Sequence, residues 1–400
     1  MTNLIEILIT ILFYPIKHVV PKGNIILIGT YSRQRYCDNT KFLFEYLSEN
    51  SEIDIYWLTD NETIEEYLKK NGLQYVGLGN PLKLIWILLR ARIIIDSGTN
   101  YFNPFKILDT KSVIKITTLH GNGPKATFSR FHPPDNSKIA IQQILSHYSF
   151  DFVNYPSKYS AEKIGKRAHL LPNEKIISLG YPRCDQYFDQ VMLSDKKEKK
   201  LLTKSIFPNY TDDLSIIFYT PTWRPYEFNF PLFEMDDFDI DEFDQWLTEN
   251  NIVFFYSIHT AQLPENMPRN LKRIIEIRPE NYPLFDTNEF LIEVDILIND
   301  YSTTSTDFAL LKKPQIFFMP DYDYYYSEKG FIEDYKDIMP GKEISNYREL
   351  KDTIKNINHA KNKYLDQYDD QRTELLEKYY DFNDGNSSKM FYSFIQELMG

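Results

Sequence analysis

Apolar residues fall into short runs separated by longer amphipathic or polar stretches. That alternation of strand-like and helical segments marks a parallel α/β fold. Strand-like runs lie at 25–28, 53–58, 93–95, 113–116, 152–153 and 176–179 in the first half of the chain. In the second half they lie at 216–219, 253–258, 274–277, 296–298 and 316–318. This spacing predicts two doubly wound parallel-sheet domains with a cleft between them. A charged helical segment at 196–204 lies near the join, giving units 21–195 and 196–375. The stretch 348–400 reads as helical and is expected to pack back across both domains, with a final helix at 376–400 returning to the first. No internal repeat is visible, which argues against a solenoid.

Residues 4–20 are greasy but interrupted by Glu6, Pro15 and Lys17. They fit neither a spanning helix nor a signal peptide. Two readings stay open: an amphipathic helix lying in a membrane interface, or a helix packed on the first domain.

Composition narrows the function classes. The length of 400 residues exceeds the usual single core, in keeping with two domains. The net charge of −12 argues against general nucleic-acid binding, and no polybasic tract suggests adhesion to anionic lipid. The two cysteines, Cys37 and Cys184, have no metal-ligand company nearby, as expected in a reducing, cytoplasmic compartment.

Ligands of open α/β sheets bind beyond the carboxyl ends of the strands, so the residues just after each run are the candidates. After 113–118 comes Leu119-His120-Gly121-Asn122-Gly123-Pro124-Lys125. A histidine can serve as acid or base, the glycines admit a ligand to the backbone, and the ammonium suits phosphate. The plain alternative is a glycine-rich turn with an incidental histidine. After 176–179 comes Gly180-Tyr181-Pro182-Arg183-Cys184-Asp185, where Arg183 either meets phosphate oxygens or pairs with Asp185 within the turn. After 216–219 comes Thr220-Pro221-Thr222-Trp223-Arg224, which offers either a ring and a charge to a nucleotide or a core tryptophan beside a surface arginine. His259 follows the run at 253–258.

Residues 301–306, Tyr-Ser-Thr-Thr-Ser-Thr, all carry hydroxyls between a buried strand and a short helix stopped by Pro314. They can hold a phosphate at the helix start, or simply cap it through the pair Thr304 and Asp307. The carboxylate-dense segment 234–244 lacks the glycine and spacing of a calcium loop and reads as a solvated insertion. The tyrosine run at 322–326 reads as an acceptor-lining loop or as half-buried packing.

In their order along the chain, His-Gly-x-x-x-Lys, Gly-Tyr-Pro-Arg, Thr-Pro-Thr-Trp-Arg and Asp-Tyr-Ser-Thr-x₃-Asp resemble the CDP-glycerol glycerophosphotransferase family, over roughly residues 20–395. The family comprises teichoic acid primases and polymerases and their capsule-synthesis relatives. The resemblance implies a GT-B-like fold with an acceptor-side first domain and a CDP-polyol-binding second domain. It implies transfer of glycerol phosphate from CDP-glycerol to an acceptor hydroxyl, with release of CMP. By the same resemblance His120 is the general base and Gly121, Asn122 and Gly123 line the reaction centre. Lys125, Arg183, Thr222, Trp223, Arg224, Ser302, Thr303 and Asp307 bind substrate, and His259 joins His120 as a catalytic candidate. The implied partners are CDP-glycerol or CDP-ribitol, a lipid-linked saccharide or polyol-phosphate acceptor, and the cytoplasmic face of the plasma membrane. A divalent cation such as Mg is left open as a cofactor, since no strict ligand set is visible.

Two departures stand out. Where the family commonly has Trp-His-Gly-Thr-Pro, this chain has Leu119-His120-Gly121-Asn122-Gly123, and where it commonly has His-Pro, this chain has His259-Thr260. The first bears on acceptor identity and the second on the role of His259. The rival readings are a CDP-ribitol transferase, a GT-B glycosyltransferase using a nucleotide sugar, and a non-catalytic scaffold for surface polymer.

Overall fold

Thirteen strands pair, all in parallel, into two sheets among the described residues of the computed structural model. The structure describes residues 16, 19–30, 32–98, 113–121, 123–124, 145–222, 232–233, 235, 237–257, 271–278, 281–328 and 330–400. The expectation for the segment 4–20 lies almost wholly outside them.

The first sheet has the order β3-β2-β1-β4-β5-β6-β7. Its strands are β1 (Ile25–Gly29), β2 (Asp54–Leu58), β3 (Tyr75–Val76), β4 (Ile93–Asp96), β5 (Ile114–Thr117), β6 (Phe152–Tyr155) and β7 (Ile176–Ser178). The second has the order β10-β9-β8-β11-β12-β13. It contains β8 (Ser215–Tyr219), β9 (Ile252–Tyr256), β10 (Ile274–Glu276), β11 (Ile296–Asn299), β12 (Gln315–Phe318) and β13 (Gly341–Ile344). Central strands such as β1 and β9 are buried along their whole length, as helices on both faces of a parallel sheet require. In each sheet the chain starts at a central strand, winds to one edge, then returns to wind to the other. The resulting switch point lies between β1 and β4 in one sheet and between β8 and β11 in the other, where doubly wound sheets bind ligands.

Every strand expected from the hydrophobic runs is present. β3 and β13 are additional edge strands that the pattern does not announce. β3 has only two residues, and β13 reads Gly-Lys-Glu-Ile, too polar to stand out.

The helices that matter for the site are α1 (Asp38–Asn50), α2 (Thr287–Glu293), α3 (Thr304–Ala309), α4 (Tyr347–Gln367), α5 (Asp369–Tyr379) and α6 (Ser387–Met399). α6 sets Phe391 and Ile395 into the same core as Leu43, Phe44 and Leu47 of α1. α5 sets Leu375 and Tyr379 against Tyr181, Cys184 and Tyr187. In the carboxylate-dense segment Asp237, Asp239, Asp241 and Glu242 are exposed, as expected of a solvated stretch, but the segment is anchored to the domain. Phe243 is fully buried in the core of the second sheet, and Asp244 accepts from the Lys272 and Arg273 amides at 3.0 and 2.7 Å. In the tyrosine run, Tyr325 stacks on Tyr301 at 4.0 Å while Tyr324 and Tyr326 stay exposed. No helix among the described residues is long and apolar enough to cross a membrane.

Candidate functional site

Four strand ends converge on one cavity of about 280 Å³ between the sheets. Its walls include Arg35, Asp38, His120, Arg183, Thr303 and Asp307.

The first wall follows β5. Leu119 takes a left-handed φ of +54° while staying buried, and this turns the chain so that His120 faces the cavity. Asn39 Nδ2 holds the turn by donating to the Leu119 carbonyl at 3.0 Å. His120 Nδ1 lies 3.3 Å from the Ser97 carbonyl. A carbonyl only accepts, so Nδ1 donates in this contact, which leaves Nε2 as the nitrogen that could act as a base.

The second wall is the turn after β11. Of the hydroxyl run, Tyr301, Ser305 and Thr306 are buried, and only Ser302, Thr303 and Thr304 are partly open. The capping box expected from Thr304 and Asp307 does not form. Thr303 flanks α3 without a side-chain cap, and Asp307 points elsewhere. The two walls touch where side chains are absent: a Cβ on Gly121 would lie 2.9 Å from Thr303 Oγ1, and one on Gly123 would lie 3.2 Å from Thr303 Cγ2.

Arg183 joins both walls and is 2% exposed. Its Nε and Nη2 donate to Asp307 Oδ2 at 3.0 and 2.9 Å. Its Nη1 donates to Asp38 Oδ1 at 2.7 Å and to the His120 carbonyl at 2.9 Å, and the guanidinium lies over the Tyr181 ring. Burial alone would lower its pKa, but the Asp307 and Asp38 carboxylates outweigh this and raise it well above the ordinary range. Asp307 accepts from Tyr380 Oη on its other oxygen. In this structure the Arg183 guanidinium is engaged by Asp307, Asp38 and the His120 carbonyl, and the Asp307 carboxylate by Arg183 and Tyr380. Arg183 does not pair with Asp185, which instead accepts from the Ser387 and Ser388 amides at 2.9 and 2.7 Å, at the start of α6.

Thr222 sits at the end of β8 beside the same turn. Its amide and hydroxyl donate to Asp300, the hydroxyl at 2.7 Å, and the Ser302 amide donates to Asp300 at 3.1 Å. Asn122, Lys125, Trp223, Arg224 and His259 lie outside the described residues.

Three groups, Asp38, Asp286 and Arg35, escape the motif reading, and a fourth, Asp300, opens the Asp-Tyr-Ser-Thr-x₃-Asp motif with no role read for it. Asp300 is fully buried and ties the 220–222 and 300–302 turns together. Asp38, at φ +70°, accepts from Arg183 and donates its amide to Asp286 Oδ2 at 2.6 Å. Asp286 also caps α2 by accepting from the Asn288 and Glu289 amides. Arg35 brings a cation to the cavity. Its Nη2 donates to the Phe285 carbonyl at 3.0 Å, and its Nε is buried with no hydrogen-bond partner. Arg35 follows the β1 run and could have been found by the same strand-end rule, whereas the contacts of Asp38 with Arg183 and Asp286 span more than 140 residues and leave no local signature.

The two halves are also joined by Lys41, whose ammonium reaches Glu289 at 2.5 Å, while Lys196, at the boundary itself, reaches the same carboxylate at 2.9 Å. Burial pushes the Glu289 carboxyl up, but the two ammoniums outweigh it and hold it down at about 2. Among the described residues, no three His, Cys, Asp or Glu side chains gather where they would hold a metal ion.

The family model described as CDP-Glycerol:Poly(glycerophosphate) glycerophosphotransferase matches residues 12–397. A teichoic acid glycerol-phosphate transferase of Staphylococcus aureus is 26% identical over 391 residues, covering 92% of each chain. A teichoic acid glycerol-phosphate primase of Bacillus subtilis is 24% identical, covering 96% of this chain and 94% of the relative. A teichoic acid poly(ribitol-phosphate) polymerase of Bacillus spizizenii is 27% identical, covering 91% of this chain but only 57% of its own. Among solved structures, a variant of the wall teichoic acid polymerase TagF soaked with CDPG superposes with a TM-score of 0.75 at 21% identity, covering 99% of this chain and 96% of that one. At that identity the superposition speaks for the fold alone.

Proposed function

Because the chain belongs to the CDP-glycerol:poly(glycerophosphate) glycerophosphotransferase family, we propose that it moves glycerol phosphate from CDP-glycerol to a hydroxyl of a lipid-linked acceptor, releasing CMP. The observation that carries this reading is the convergence of His120, Arg35 and the Thr303–Thr304 turn on one cavity built from both sheets. An acceptor hydroxyl attacks the β-phosphorus of the donor, the bond to the CMP oxygen breaks, and CMP leaves with the electron pair. His120 Nε2 takes the hydroxyl proton. Arg35 and the backbone amides around Thr303 and Thr304 meet the donor diphosphate. Such a reaction needs positioning and charge neutralisation more than covalent catalysis.

The reaction belongs to teichoic acid synthesis, at the cytoplasmic membrane face where a nucleotide donor and a lipid-linked acceptor meet. A CDP-ribitol donor is the second reading, favoured by the ribitol-phosphate polymerase among the relatives.

The test is incubation with CDP-glycerol and with CDP-ribitol over a set of acceptors, followed by mass analysis of the products and of CMP. Release of UDP or GDP from a sugar nucleotide, without CMP from either donor, would overturn the proposal. A base near its operating pH contributes about 10²–10⁴-fold, so His120→Ala should lose turnover by that order while CDP-glycerol binding holds. Unchanged turnover in that variant would remove His120 from the mechanism.

A further inference from the structure

A second cavity, of about 470 Å³, lies on the far side of the second sheet, where α4 crosses the edge strand β13. It exists because α4 is bent. Ala360 leaves the helical region at φ −145° and ψ 50°, and such a break interrupts the i→i−4 ladder and redirects the axis. Beyond the bend, Tyr364 pins the helix to the sheet. Its Oη donates to the Gln315 carbonyl at 2.5 Å and accepts from the Lys342 amide at 2.9 Å. Gln315 opens β12, and Lys342 pairs with Ile316 beside it. The cavity therefore sits at the amino-terminal end of the strands, opposite the catalytic cleft.

The chemistry of its lining is one-sided. Lys342, Lys363 and His359 contribute cationic or titratable nitrogen, and Gln367 and Tyr368 contribute uncharged polar groups. No carboxylate lines it, in a chain that carries 57 acidic residues against 45 basic ones. Thr353, on the same wall, is fully buried, and its Oγ1 has no hydrogen-bond partner. A buried hydroxyl in that state costs free energy unless a ligand or water completes it.

We propose that this cavity binds a polyol phosphodiester, the repeating chemistry of the product chain, with the lysines on phosphate and the amide and hydroxyl groups on the polyol. It would hold chain already made, away from the reacting end. The proposal rests on the polyol-phosphate reading of the catalytic site for its choice of ligand, but its test does not depend on turnover.

Titration calorimetry of the full chain with a short synthetic poly(glycerol phosphate) oligomer should show two binding sites. In a K342E/K363E variant it should show one, or a second site weakened by at least about tenfold, as expected for losing two charge-assisted contacts. CMP release from CDP-glycerol with a short acceptor should be unchanged in that variant. K342Q/K363Q provides the same loss without charge reversal, should the first variant fold poorly. T353V should weaken the second site severalfold with no change in charge. Two sites of wild-type affinity in both lysine variants, or a single site in the wild type, would sink the proposal. Binding of inorganic phosphate or glycerol phosphate as tight as that of the oligomer would do so too, since only a chain uses the whole cavity. Failure of CMP release with every CDP-polyol bears on the catalytic reading alone, and the oligomer titration separates the two.

Discussion

A guanidinium that meets two carboxylates and a carbonyl while almost wholly buried is held in one geometry, and it holds its partners in return. Arg183 fixes the His120 main chain through the carbonyl it contacts and so sets where the imidazole begins. Arg183→Lys keeps the charge but loses the planar fork, leaving Asp38 or Asp307 buried without its partner. The expected cost is about 3–5 kcal/mol, read by urea unfolding. Asp307→Asn should also destabilise, with donor affinity falling only in step with stability. A variant that melted like the wild type yet bound CDP-glycerol poorly would return Asp307 to direct contact with the donor. The motif Gly-Tyr-Pro-Arg draws attention to Arg183, which the structure places in the cavity wall. What the sequence withholds is the partner, because Asp38 and Asp307 are distant in the chain and come together only through the packing of both domains.

Elements carry the next layer of the argument. The turn after β7 is built around Gly180, which has φ +78° and whose missing Cβ would lie 2.3 Å from Ser387 Oγ. Two residues of the same turn do different work: Arg183 faces the cleft, and Asp185 receives the first amides of α6. Gly180→Ala should therefore cost well over about 1 kcal/mol, combining backbone strain with a clash. Asp185→Ala should cost about 0.5–2 kcal/mol as a lost cap. Both should raise amide hydrogen exchange in α6 ahead of β1 or β9, and uniform exchange across the chain would contradict this docking. Long apolar strands were legible from pattern because their periodicity is local, and residues such as Ile25–Gly29 have no other explanation. The capping reading of Thr304 and Asp307 failed for a matching reason. A local pattern licensed a local bond, but Arg183 and Tyr380 compete for the same carboxylate with better geometry.

At the scale of the whole molecule, the halves are joined by charge as well as by packing. Glu289 is held down at about 2 against an ordinary 4.5, so its contribution to stability is full above pH 4.5 and is lost as pH falls toward 2. Asp286, raised chiefly by burial, runs in the opposite direction, so the clean measurement is a difference between chains. Thermal melts of wild type and Glu289→Gln at stepped pH should converge as pH drops through that window, with the wild type more stable above it. Parallel curves would show that the Lys41–Glu289–Lys196 bridge contributes nothing to the join. At the reaction centre the join is closer still, because Gly121 and Gly123 meet Thr303 with no side chain between them. A spacing set by missing atoms cannot be adjusted in small steps: the first atom added at position 121 already collides. Any descendant of this chain that takes a bulkier donor must therefore make room by lengthening or rerouting a loop, while this contact stays as it is.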